Sequence, residues 1–142
     1  MKFTEVVYLA LDDRVKLWCT INEPAVYVTG GYFQEDMPPG KNDPQLAAVV
    51  LRNILEAHVQ AYRKIKSLPG GDQAMVGLVK NLTQADPYRK WNLGDWIIAN
   101  LIEGVFNRTT LRFVETGDYR FNMPTMARLR DYNPEAKMNF IM

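Results

Sequence analysis

Three features of this sequence predict an α/β fold with parallel strands. A run rich in β-formers at residues 15–21 is followed by a long amphipathic helical pattern between residues 46 and 65, and then by a short apolar run at residues 74–79. Strand, helix, strand is a βαβ unit, whose crossover is almost always right-handed and lays both strands parallel in one sheet beneath the helix. The 142 residues, 47% hydrophobic and 23% charged, fit one globular domain, residues 1–142, able to bury a core.

Phe3, Val6, Val7 and Ala10 recur at helical spacing until Asp12-Asp13-Arg14 breaks the pattern, so the chain opens on a short helix. The strand from Val15 to Ile21 is closed by Asn22-Glu23-Pro24, because proline cannot donate to a ladder and disfavours helix at the residue before it. Glu23 therefore falls at the strand's C-terminal end. From Ala25 to Pro44, Gly30, Gly31, Gly40, Pro38, Pro39 and Pro44 predict a long irregular connection, of a length usually kept for function. Leu46, Val49, Val50, Ile54, His58, Ala61 and Ile65 then mark one face of a helix that stops at Ser67-Leu68-Pro69-Gly70-Gly71. Ala74 to Val79 reads as a strand buried on both faces. Beyond Asp86-Pro87, Trp96, Ile97, Ala99, Leu101 and Val105 predict another helix, Thr109 to Glu115 a shorter one ending at Gly117, and Thr125 to Asp131 a third. Met138 to Met142 reads as the start of a third strand, and no repeat or low-complexity segment interrupts the chain.

Lys and Arg number 17 against 16 Asp and Glu, a formal net charge of +1, so no global field favours phosphate backbones or anionic lipid. Neither nucleic acid nor membrane is an expected partner. No run approaches the roughly 20 uninterrupted apolar residues that span a bilayer. Glu5 and Asp12-Asp13 end the opening apolar stretch too early for a secretory signal, so a cytoplasmic location is expected. The single cysteine, Cys19, lies in the apolar run Leu17-Trp18-Cys19-Thr20-Ile21 and reads as a small buried thiol. With one histidine, His58, and no Cys/His cluster, no metal site and no cofactor are expected; a lone histidine on an apolar helix face reads as a packed, hydrogen-bonded core residue.

Glu23 is the first candidate for chemistry, since parallel α/β folds gather their active sites at the C-terminal ends of strands. A carboxyl group beside Trp18 and Ile21 and away from bulk water suits a proton donor, although from position alone a surface turn acid is the commoner reading. Trp91, in a polar stretch beyond the second strand, is the candidate sugar-stacking residue, whereas Trp18 and Trp96 fall in strand and helix patterns that more often serve the core. Asp86, also beyond that strand, is a weaker second carboxylate. Gly70-Gly71 lacks a phosphate-loop pattern and reads as a turn, and Arg89-Lys90 is too short for an anion site.

The segment Asp13-Arg14-Val15-Lys16-Leu17-Trp18-Cys19-Thr20-Ile21-Asn22-Glu23-Pro24 resembles the acid/base signature of glycoside hydrolase family 1, in which Val-Lys-x-Trp leads into Thr-x-Asn-Glu-Pro. Gly30-Gly31-Tyr32, Pro38-Pro39-Gly40, Ala57 to Tyr62, Val76-Gly77-Leu78, Gly117-Asp118-Tyr119 and Asn139-Phe140-Ile141 follow in the family's order, so the resemblance covers essentially the whole chain. It implies a TIM (β/α)8 barrel of which this chain is an internal part, about a third at the usual barrel size. It also implies Glu23 as the acid/base of a retaining β-glycosidase, Asn22 as hydrogen-bond partner of the sugar's 2-hydroxyl, and β-glycosides or phospho-β-glycosides as substrates. Such chemistry needs a second carboxylate, the nucleophile, about 5 Å from the first. The family carries it in Thr-Glu-Asn-Gly, and no Glu-Asn-Gly occurs between Met1 and Met142. The expectation is thus a family member inactive alone. The alternative is a non-catalytic module, a partial barrel that binds carbohydrate or pairs with itself or a complementing fragment through open sheet edges.

Overall fold

A computed structural model describes residues 2–137. The first helix, α1, runs Lys2–Leu11, and the first strand, β1, runs Leu17–Asn22. Helix α2 follows at Pro24–Tyr32, the long helix α3 at Pro44–Lys66, and strand β2 at Met75–Val79. Strands β1 and β2 pair in parallel, with Leu17 opposite Met75, Trp18 opposite Val76 and Cys19 opposite Gly77. The βαβ unit read from the sequence is present. The strand expected beyond Met138 lies outside the described residues.

Helix α3 starts where Asp43 accepts the Leu46 N–H at 2.9 Å and Pro44 takes the first helical position, where its missing N–H costs nothing. Ala47, Ala48, Leu51, Leu55 and Val59 of this helix are buried with Val28 of α2, Leu78 of β2 and aromatic residues of the C-terminal part. A second cluster joins Tyr8 of α1, Ile65 of α3, and Ala74 and Val76, with Trp18 packed against it. The buried stripe is rotated from the sequence-based one: Val49, Val50 and Ile54 are half-buried, while Leu51, Leu55 and Val59 form the contact. Apolar residues cover so wide an arc of α3 that periodicity alone does not choose the centre of its buried face.

Trp18 and Thr20 of β1 face α3, as the Thr20 hydroxyl paired with the His58 ring shows. Cys19, expected to be buried, is exposed, because it points to the strand face that α3 does not cover, beside Leu17 and Met75. The connection expected from Ala25 onward is also shorter than predicted, since Pro24 initiates α2 and that helix continues to Tyr32. Gly30 and Gly31 end it by close packing: an added Cβ would lie 2.6 Å from the Met37 Sδ and 2.9 Å from the Pro38 carbonyl oxygen, respectively.

After β2 come helix α4 at Leu93–Glu103, a π-type turn at Gly104–Arg108, and helix α5 at Thr109–Thr116. Gly117 stops α5 with φ of 79°, and a Cβ there would meet the Asn133 carbonyl oxygen at 2.1 Å. The helix expected at Thr125 to Asp131 is instead part of an antiparallel hairpin, β3 at Asp118–Met123 and β4 at Ala127–Tyr132. Tyr119 and Phe121 alternate inward against exposed Arg120 and Asn122, a period of two that a helix cannot satisfy. The hairpin is held to α3 by the Tyr119 hydroxyl donating to the Ala48 carbonyl at 2.6 Å and by an Arg52–Asp131 ion pair at 3.0 Å. Gln45 supports it by pairing its side-chain amide with the Arg128 backbone.

His58 is fully buried, bonded through Nδ1 to Thr20, while its Nε2 has no partner among the described residues. The core role expected of it is therefore the observed one, and burial lowers its pKa from 6.5 to about 4. The folded value lies below the unfolded one, so the unfolded chain binds the proton first as pH falls, and stability drops between those two values. In urea titrations the stability of the wild type relative to His58→Gln should fall by about 2–3 kcal/mol between pH 7 and pH 4.5; a constant difference would show that the ring is not held neutral.

Candidate active site

Glu23 links β1 to α2 and is fixed from both sides. Its N–H donates to the Val79 carbonyl of β2 at 2.9 Å, extending the parallel ladder by one residue, and its carbonyl accepts the Val26 N–H at 3.0 Å in the first turn of α2. Between these anchors the residue adopts φ 43° and ψ 62°, the left-handed region, which for a side chain other than glycine costs about 1–3 kcal/mol. Pairing sets this conformation rather than local preference, since the residue before a proline otherwise favours extended backbone.

A bulge sharpens the arrangement. Cys19 pairs with Gly77 and Asn22 with Val79, so three steps on β1 match two on β2. The exposed positions of β1 are accordingly Leu17, Cys19 and Asn22, an interval of two and then of three. The bulge turns Asn22 to the same open face as Leu17 and Cys19, while Ile21 packs toward the core. Asn22 and Glu23 thus stand together at the C-terminal end of the sheet, Asn22 exposed and Glu23 half-buried.

Lys80, immediately after β2, brings further residues to this end that the sequence reading did not single out. Burial pushes its ammonium below the usual lysine range, and the nearby carboxylates of Glu103 and Glu23 act against that push. Its Nζ donates to the Asn107 Oδ1 at 3.4 Å, and the Asn107 amide donates to the Glu103 Oε2 and to the Thr83 carbonyl, both at 2.7 Å. Asn107, buried in the π-type turn, also accepts the Thr83 N–H at 3.2 Å. It ties the segment after β2 to α4 and bonds Lys80, whose charge feels the carboxylates of Glu103 and Glu23. This group can carry a proton donor, a hydroxyl-binding amide and a cation at one end of a parallel sheet.

The hydrogen bonds and ring contacts of the remaining candidates go to other partners. Trp91 is 81% exposed, with the Arg89 guanidinium 5.4 Å from its ring centroid. Trp18 packs on Tyr8 at 5.0 Å between ring centroids, as a core residue should. Trp96 departs from its expected core role: it is 46% exposed, and its indole N–H donates to the Lys90 carbonyl at 2.9 Å. Asp86 accepts a bond from Gln84 at 2.9 Å in an exposed segment. Among the described residues no cluster of His, Cys, Asp and Glu could hold a metal ion, and no helix is long and apolar enough to cross a membrane.

Comparison with known proteins places this geometry in context. Residues 1–140 match the family model described as Glycosyl hydrolase family 1. The 6-phospho-beta-glucosidase GmuD of Bacillus subtilis is 31% identical over 140 residues, covering 94% of this chain and 29% of its own. The beta-glycosidase from Pyrococcus horikoshii superposes with a TM-score of 0.74 at 32% identity, over 94% of this chain and 30% of that one. The psychrophilic beta-glucosidase BglU from Micrococcus antarcticus gives the same TM-score of 0.74, also at 32% identity, over 83% and 24%. The chain spans less than a third of the length of these relatives, and its parallel strands and helices correspond to about a quarter of their barrels.

The left-handed backbone at Glu23 predicts its own signature. Glu23→Gly should be more stable to urea than Glu23→Ala by about 1 kcal/mol, since only glycine occupies that region without a Cβ penalty. Equal stabilities would place Glu23 in an ordinary backbone region.

Proposed function

The chain belongs to glycosyl hydrolase family 1, and from that premise we propose that Glu23 is the acid/base carboxylate of a retaining β-glycosidase site whose nucleophile comes from outside residues 1–142. The observation that carries this reading is the double anchoring of Glu23 at the C-terminal end of β1, where barrel enzymes assemble their chemistry. Ladder and helix hold the Glu23 backbone at one point, so its side chain leaves the sheet end from a fixed origin, a starting condition for positioned proton transfer to a glycosidic oxygen. Glu23 protonates the leaving oxygen and later takes the proton of the attacking water, and Asn22 bonds the hydroxyl next to the reacting carbon. The substrate class is β-glycosides, plain or phosphorylated.

The second carboxylate must stand about 5 Å from Glu23 to act as nucleophile. Glu103 approaches from α4, but its carboxylate is engaged by Asn107 and lies beside Lys80, an arrangement that fixes the loop rather than freeing a nucleophile. The chain alone is therefore proposed to be inactive, because a positioned acid does not replace the covalent step.

A second reading, assembly through the open sheet, draws on the exposure of Leu17 (57%) and Met75 (46%) on the face of β1–β2 that α3 leaves bare. Both edges of that pair are unpaired among the described residues, and such edges recruit further strands.

With aryl β-glucosides and 6-phosphoglucosides, the purified chain should show no turnover above background. Mixed with a polypeptide carrying the rest of a family 1 barrel, including its nucleophile, it should gain turnover that falls at least about 10²-fold in Glu23→Gln. Complemented turnover indifferent to that substitution would remove Glu23 from the reaction. Light scattering on the chain alone separates the second reading, which requires a mass that rises with concentration.

A further inference from the structure

The β3–β4 hairpin carries a charge arrangement that the packing of the chain does not explain. Strand alternation puts Arg120 and Asn122 on its outer face with Arg128 and Arg130, and the register sets Arg120 directly opposite Arg130 and Asn122 opposite Arg128. Like charges at directly paired positions destabilise a sheet. The carboxylate on this face, Asp118, is taken by Arg120 at 2.7 Å and by Arg112 of α5 at 2.8 Å. Arg128 and Arg130 have no ion-pair partner among the described residues, and Asp131 is engaged by Arg52.

Arg120 and Asn122 also line a groove of about 550 Å³ whose opposite wall is α4 and the start of α5. They share a contiguous hollow of about 410 Å³ with Arg128 and Arg130. On the α4 side the groove exposes the Trp96 ring and Ile97, with Asn100 beside them; Arg108, fastened to the Asn100 carbonyl at 2.7 Å, adds another guanidinium. The groove therefore combines an apolar ring, amide groups able to bond hydroxyls, and a row of guanidiniums, of which Arg108 and Arg120 are tethered and Arg128 and Arg130 are open to bidentate capture of carboxylate or sulfate.

We propose that this groove binds an acidic oligosaccharide, with a sugar ring on Trp96 and its anionic groups on Arg120, Arg128 and Arg130. A glycan rather than a nucleic acid is the occupant for two reasons. The proposal rests on the family reading, in which sugars are the substrate class. The groove also offers one exposed aromatic plate among its lining residues, whereas binding a single strand of nucleic acid uses successive aromatic platforms. Glu23 and Asn22 do not line it, so this is a second site on the chain.

The test is a titration of the chain with tetragalacturonate, neutral cellotetraose and a thymidine oligonucleotide of equal charge, followed by calorimetry and tryptophan emission. Tetragalacturonate should bind at least tenfold tighter than either comparison ligand, and more weakly as salt is raised. Trp96→Ala and the pair Arg120→Ser with Arg130→Ser should each weaken it at least tenfold, while Arg120→Lys with Arg130→Lys, which keeps the charge but loses the bidentate fork, should bind between the wild type and the serine pair. Glu23→Gln should bind like the wild type, so loss of catalysis in the complemented barrel with binding intact separates the two sites. No binding of tetragalacturonate, equal binding of cellotetraose or the oligonucleotide, or undiminished binding by the serine pair would overturn the proposal. If circular dichroism shows the serine pair unfolded, the wild-type comparison of the three ligands decides.

Discussion

Nearly every element of this chain reaches the others through α3. Its residues Leu51, Leu55 and Val59 are buried against β2, α2 and the hairpin, and its last turns hold α1 through Ile65 and the Lys64–Glu5 ion pair at 3.0 Å. Each fully buried side chain of this size contributes about 1.5–3 kcal/mol, so the stripe outweighs the exposed ion pairs, which are worth about 0–1 kcal/mol each. A two-stranded sheet is marginal by itself in water. The β1–β2 pair persists as a sheet because α3 covers one face of it and because His58 and Thr20 satisfy each other across that contact.

From that seating the candidate site follows in steps. Covering by α3 fixes which face of β1 is inward, and the inward face fixes the register with β2. The bulge before Asn22 then breaks the alternation at the one place where two consecutive residues must serve the open end of the sheet. Pro24 starts α2 immediately afterward, leaving Glu23 no room to extend, and the left-handed turn is the result. Strain at this residue is thus a product of sheet, bulge and helix start meeting within three residues, and it sits where the chemistry is proposed, as stored strain often does.

The parts legible in the sequence are those with long periodicity or strong punctuation. β1, α3 and β2 were readable because a 23-residue helix between two apolar runs admits few other architectures, and α5 was readable through its stop at Gly117. The place of Glu23 at a strand end before proline is legible in the sequence, and the structure puts it there. Gly30 and Gly31 misled because they read as helix breakers, whereas the 33–40 turn needs their missing side chains to pack against α2. The hairpin was hidden because Met126 and Leu129 fit either a helical spacing or strands joined by a turn. Lys80, Glu103 and Asn107 left no signal, since their grouping closes a loop of more than twenty residues through a buried amide, and no local pattern encodes that contact. Cys19 and Trp96 were misplaced for one shared reason: an apolar neighbourhood in sequence does not guarantee a neighbour in space.

That last point bears on what the chain presents to its surroundings. Its two sheets expose opposite kinds of unsatisfied surface. β1–β2 shows apolar side chains and unpaired edges on the face away from α3, which favours further strands or apolar cover. β3–β4 shows guanidiniums paired across the strands, which favours anions. Solvent acts on the two in different senses, since salt screens the arginine face within a Debye length of about 8 Å at physiological strength, while excluded salts such as sulfate strengthen apolar burial. Conditions that strengthen apolar burial on β1–β2 therefore weaken the attraction of the arginine face for anions, so the two proposed roles, assembly through the sheet and anion capture on the hairpin, are physically separable.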